Sequence, residues 1–261
     1  MKAPSILGTV MEKREIRPTD LVLVSVGITC QTAHQLARYA DQHRDAHGGV
    51  AFRKGPFDWI AVPPAIGAAW LDAGFDAFGE GEIIGRDGRA WFDRRRVGYW
   101  HGFRRKPRPD DPPVADDDHG PGAGKVLDIP YAFERELSKF EYQRDVFRDF
   151  DPTRTLFVTG NGQHNAAGEI YRGEDEVLAH MDEAGFDALQ GALDRFFGAP
   201  TMLAAVVHEE RATPGLMTRE NVRSVAHDVS AWQGDDADWD RALDPLVADA
   251  RARMETVAQA A

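Results

Sequence analysis

Of 261 residues only one, Cys30, is a cysteine. That scarcity excludes an internal disulfide, a Cys-rich zinc site and any need for an oxidising compartment. Long apolar runs are missing as well. No segment reaches the roughly 18 apolar residues that span a bilayer, and Met1 to Asp20 holds no apolar stretch fit for a signal peptide. The expectation is a cytoplasmic protein with no membrane partner. Positive charge is in deficit: 31 Lys and Arg stand against 43 Asp and Glu, a formal net charge of −12. Affinity for a phosphate backbone needs a basic face, so nucleic acid is not an expected partner. Gly160-Asn161-Gly162 lacks both the dinucleotide fingerprint and the P-loop lysine, and His208-Glu209-Glu210 has Ala212 where a zinc helix would place its second histidine. No metal and no cofactor are expected.

What is present suffices for a core: 43% of residues are hydrophobic and 10% aromatic, enough for a single α/β domain over residues 1–261. Leu21–Val26 reads as a buried strand and Thr29–Asp41 as a helix, with Ala33, Leu36, Ala37 and Ala40 at helical spacing. A second helix follows Pro63-Pro64. Gly85-Arg86-Asp87-Gly88 is a hairpin turn between Glu82–Ile84 and Ala90–Phe92, and Arg96–Trp100 is extended. Helices are expected over Tyr131–Phe150, over Asp175–Phe197 with a break at Gly185, and over Trp239–Val257. Thr155–Thr159 and Met202–Val207 are strands. The β-α-β succession predicts parallel pairing and a three-layer α/β/α sheet. Arg104–Gly124, with five prolines, five aspartates and three glycines, cannot pack a core and is expected to be a long mobile insertion beside the site.

Cys30 stands where the first strand gives way to a helix, a place where N–H groups and the helix dipole favour a thiolate. Gln31 and the neighbouring backbone N–H groups are candidate oxyanion donors. A cysteine nucleophile needs a base held by a third group. Of nine histidines, His34, His43, His47, His119, His180 and His227 have ordinary surface or loop settings. Three remain open as the base: His101, ending the aromatic run Val97-Gly98-Tyr99-Trp100; His164, in the loop Gly160–Asn165 beyond a strand; and His208, ending another strand. Loops at strand C-termini are favoured sites in α/β proteins, which also makes Asn161 a candidate for substrate binding. Asp58, sheltered between Phe57 and Trp59, is the best orienting carboxylate, with Trp59 beside it as a substrate contact.

Val24-Ser25-Val26-Gly27-Ile28-Thr29-Cys30-Gln31, followed by Pro56-Phe57-Asp58-Trp59, resembles the motif pair of a poorly characterised bacterial family described as papain-like cysteine peptidases. The likeness extends over roughly Leu21 to Val207. His101-Gly102-Phe103 matches an aromatic-flanked His-Asp-Phe except for Gly102, and Lys139, Arg144 and Arg148 before Leu156-Phe157-Val158 are similar to a basic helix leading into a strand. The resemblance implies a Cys–His pair on an α/β fold, with Cys30 as nucleophile and His101 as base. Gly102 takes the place of the family's aspartate, and Asp58 is its physical substitute.

Three functions are therefore expected in order. First is a cysteine hydrolase (peptidase or amidase) or acyltransferase acting on a small-molecule, peptide or glycan substrate. Second is a noncatalytic sugar- or nucleotide-binding protein with an inert Cys30. Third is a glycan-modifying transferase in which Lys139 and Arg144 meet a phosphate. Oligomeric state and substrate are not legible.

Overall fold

The computed structural model describes residues 16–28, 30–44, 49–58, 60–86, 88–111, 124–161, 180–225 and 232–260. In chain order the elements are β1 (Leu21–Ser25), α1 (Cys30–Gln42), β2 (Val50–Phe52), β3 (Ile60–Ala61), α2 (Pro64–Asp72), β4 (Ile83–Arg86), β5 (Arg89–Phe92), β6 (Val97–Tyr99), β7 (Arg104–Arg105), β8 (Val126–Leu127), α3 (Ile129–Arg148), β9 (Thr155–Gly160), α4 (Glu183–Phe197), β10 (Met202–His208), α5 (Pro214–Met217), β11 (Val222–Val225) and α6 (Asp236–Ala260).

The central sheet has five strands in the order β11-β10-β9-β1-β2, all parallel. Its three inner strands are continuous apolar runs, buried at every position, as parallel strands covered on both faces must be. Side chains alternate between two cores. Val22, Val24, Phe157, Leu203, Ala205 and Val207 face one; Leu21, Leu23, Leu156, Val158, Ala204 and Val206 face the other. The second core is closed by Leu36 and Tyr39 of α1 with Trp239 and Leu243 of α6, and the first by α2, α3 and α4. This is the expected three-layer α/β/α arrangement. Among the described residues no helix is long and apolar enough to cross a membrane.

Local signals place the helices. Asp128 caps α3, its carboxylate accepting from the Tyr131 N–H at 3.2 Å. Asp182 caps α4 in the same way, accepting from the Gly185 N–H at 2.7 Å. Of the helix expected over Asp175–Phe197, the described part is non-helical over 180–182 and helical from Glu183, so the break falls before the helix and Gly185 lies in its capped first turn. Residues 162–179 lie outside the described residues.

Two features are absent from the sequence reading. One is the pairing of a four-stranded antiparallel sheet, β3-β6-β5-β4, of which the β4–β5 hairpin and the extended β6 segment are expected. The other is a short ribbon in which Arg104 pairs with Leu127 and Arg105 with Val126. That ribbon pins the base of the Pro/Asp-rich insertion. Arg105 is clamped between Asp111 and Asp128, and its guanidinium holds the Asp111 carboxyl well below the usual range. The start of the stretch expected to be mobile, Arg104 to Asp111, is thus tied by strand pairing and ion pairs; residues 112–123 lie outside the described residues.

An aromatic cluster joins the antiparallel sheet to α3. Phe57 stacks on Phe75 at 5.0 Å and Trp70 on Phe140 at 5.3 Å, while Phe78 meets Phe92, Tyr99, Phe103 and Phe140. Large rings bury much area with defined geometry, and here they set the distance between the loop after β2, strand β6 and helix α3.

Candidate functional site

Those three segments surround a cavity of about 760 Å³. β3 and β6 pair antiparallel, Ile60 with Tyr99 and Ala61 with Gly98. Asp58, in the turn before β3, and His101, just past β6, both line the cavity. Asp58 is buried, with Oδ2 accepting from the Gly55 N–H at 3.3 Å. Burial pushes its carboxyl up to about 8, against the weaker opposing pull of the Gly55 N–H, Lys54 and Lys139. His101 is shifted the other way, down to about 3, first by burial and then by Arg104, Lys125, Lys139 and Arg89. Near pH 7 the cavity thus holds a protonated carboxyl and a neutral imidazole. Tyr99, between them in the wall, has its phenol raised by burial and by Glu136.

The rest of the lining is strongly cationic. Lys54 comes from the loop after β2, Arg104 and Arg105 from β7, Lys106 and Arg108 from the turn beyond it, and Lys125 from the approach to β8. Helix α3 adds Arg135 and Lys139, which with Tyr131 and Gln143 form a stripe repeating every four residues. Eight Lys or Arg therefore face Glu136 and Asp58, in a chain whose net charge is −12.

Cys30 is placed elsewhere. It is the first residue of α1, buried, and is not among the residues lining that cavity. It sits beyond β1 where the strand order reverses between β1 and β9, the crevice in which doubly wound sheets bind ligands. Gln31 is buried behind it; its Nε2 donates to the Trp232 carbonyl at 3.0 Å, tying α1 to the segment before α6. The Asn161 amide bridges strand ends: Oδ1 accepts from the His208 N–H at 2.9 Å and Nδ2 donates to the Arg211 carbonyl at 2.8 Å. His208 is buried, and its Nδ1 accepts from the Glu210 N–H at 3.2 Å, capping the short turn after β10. It also lines a second, open cavity of about 460 Å³ with Glu209, Arg223 and Asp238. Trp59 and His164 lie outside the described residues.

Asp58 and His101 thus line one cavity, while Cys30, Gln31, Asn161 and His208 lie along the carboxyl edge of the sheet. Lys139 and Arg144, whose reading as a phosphate pair ranks behind a solvated helix face, do not share this lining. Lys139 lines the cavity with Arg135, one turn before it, whereas Arg144 lies outside the lining, over the Phe140 ring. The four-residue spacing of Tyr131, Arg135, Lys139 and Gln143 was the available signal. Tyr99 and Lys54 gave none, because only the β3–β6 pairing makes them neighbours of the site. Among the described residues no group of three or more His, Cys, Asp or Glu side chains is spaced to hold a metal ion.

The fold and this cavity define a doubly wound parallel α/β protein with a buried carboxyl, Asp58, and a half-buried imidazole, His101, lining one cationic cleft. Compared with protein-family models, curated proteins and solved structures, the chain matches none.

Proposed function

We propose that the protein is an enzyme of the hydrolase or transferase class whose reaction runs in the cavity of Asp58 and His101. The observation that supports this reading is the opposite displacement of two titratable groups on one cavity wall. A carboxyl that keeps its proton is a general acid at neutral pH, and an imidazole that stays neutral is a general base; groups driven apart in this way mark acid and base roles. Water or an acceptor hydroxyl attacks the substrate while His101 Nδ1 or Nε2 takes its proton. Asp58 gives its proton to the departing oxygen or nitrogen, and proton return from His101 to Asp58 closes the cycle.

A second reading, the cysteine hydrolase or acyltransferase, is favoured by the place of Cys30 at a helix N-terminus in the switch-point crevice. There the thiolate attacks a carbonyl, an imidazole takes the thiol proton, and N–H groups of the first turn hold the oxyanion.

Turnover of 4-nitrophenyl acyl, glycosyl and phosphate esters separates the two. Loss of turnover by about a hundredfold or more in His101→Gln and in Asp58→Asn, with Cys30→Ala active, supports the acid–base site. Loss in Cys30→Ala supports the covalent route. Turnover indifferent to His101→Gln and Asp58→Asn sinks the first reading.

A further inference from the structure

Buried polar atoms are almost always satisfied, so two unsatisfied ones at the wall of one cavity mark an absent partner. Asp58 Oδ1 and the Tyr99 hydroxyl have no hydrogen-bond partner, are 6% and 8% exposed as residues, and line the same cavity. The charge around them is only partly compensated. Arg105 is saturated by Asp111 and Asp128. Arg135 and Lys139 share one carboxylate, Glu136, the lysine only at 3.7 Å. Among the described residues Lys54 and Lys106 form no ion pair, though both line the cleft. In a chain of net charge −12, a cleft whose lining carries eight Lys or Arg, Lys54 and Lys106 among them at its exposed rim without an ion pair to a described residue, concentrates a positive potential there.

We infer that this cavity binds a phosphorylated small molecule, its phosphoryl oxygens held by Lys54, Lys106 and Lys139 and by the Tyr99 hydroxyl and Asp58 carboxyl, with its organic part against Ile60, Tyr131 and Phe140. A phosphoryl group offers only acceptors, and lysines, a phenol and a protonated carboxyl all offer donors. An uncharged sugar would leave the lysines uncompensated. The volume, about 760 Å³, is that of a small-ligand site, and the acidic remainder of the molecule disfavours a nucleic-acid backbone. The inference rests on the acid–base reading for the choice of site and names its substrate class.

Calorimetric titration with inorganic pyrophosphate at low ionic strength tests it. Binding is expected to weaken about tenfold or more in Lys54→Met and in Lys139→Met. It should survive in Lys54→Arg and in Arg53→Gln, whose exposed side chain neighbours Lys54 in the chain but lies outside the lining. Circular dichroism checks that each variant is folded. Absent binding, or equal weakening in Arg53→Gln, overturns the inference. The two proposals fail separately. If pyrophosphate does not bind while His101→Gln abolishes turnover, the phosphate inference alone falls. If pyrophosphate binds with the stated lysine dependence while His101→Gln and Asp58→Asn leave turnover intact, the acid–base reading alone falls.

Discussion

Ile60 pairs antiparallel with Tyr99, and Asp58 and His101, each two residues from that pair in the chain, line one cavity. A two-residue strand thus couples the loop after β2 to the strand that ends in the aromatic run. The hydroxyl of Tyr99 is buried at this junction without a partner. Removing an unsatisfied buried polar atom relieves its desolvation cost, so Tyr99→Phe is expected to raise stability by about 1 kcal/mol and to weaken pyrophosphate binding. Urea denaturation beside calorimetry checks both; lower stability together with unchanged binding would remove Tyr99 from the site.

The acid–base pair predicts the pH dependence of folding. Asp58 is raised from 3.8 to about 8, so the folded chain keeps a proton that the unfolded chain loses, and stability falls as pH rises across that window. His101 is lowered from 6.5 to about 3, so the unfolded chain binds a proton that the folded chain refuses, and stability rises with pH across that lower window. The slopes cancel between roughly pH 4 and 6.5, and a loss of about 2 kcal/mol remains between roughly pH 6.5 and 8. Thermal unfolding over pH 3–9 should show the plateau and the fall. In Asp58→Asn the fall above pH 6.5 should vanish and the rise below it should emerge; a fall that persists in that variant refutes the assignment.

Gly27 has φ +101°, and a Cβ there would lie 2.5 Å from the Val62 carbonyl oxygen. This close approach holds the segment after β3 against the end of β1. Gly27→Ala is expected to cost about 2–4 kcal/mol from backbone strain and overpacking, measured as a lower urea midpoint. A change under about 0.5 kcal/mol, the size of a neutral surface substitution, would show that the two segments are not in contact.

Asn161 holds the His208 N–H and the Arg211 carbonyl together. Asn161→Ala leaves both without that partner and is expected to destabilise the fold by about 1–3 kcal/mol. If the side chain instead serves only substrate, stability will stay at the wild-type value while KM rises.

Cys30 is 5% exposed, so iodoacetamide should label it slowly in the native protein and rapidly in denaturant. Rapid native labelling at neutral pH that slows in His101→Ala would instead establish the thiol–imidazole pair and restore the covalent route.

Features of this protein that depend on neighbours in the chain are legible in the amino-acid order. The runs in β1, β9 and β10 have no polar alternation, which only strands covered on both faces can sustain. The caps Asp128 and Asp182 act within one turn and are a local signal in the sequence, but the helices expected over Tyr131–Phe150 and Asp175–Phe197 leave it unused, which is why Gly185, inside the second capped turn, reads as a break. Strands β2, β3 and β11 were not legible, since two to four residues show too little periodicity. The Cys30 environment illustrates the boundary: its place between strand and helix is local, but whether a thiol shares a cavity with an imidazole is decided by packing between distant segments. The cavity itself belongs to the tertiary structure. Lys54, Asp58, His101 and Lys139 meet only after the aromatic cluster has set α3 against β6, and the displacement of Asp58 and His101 from their ordinary values follows from burial and from charges brought near by that packing, quantities that have no counterpart in a linear chain.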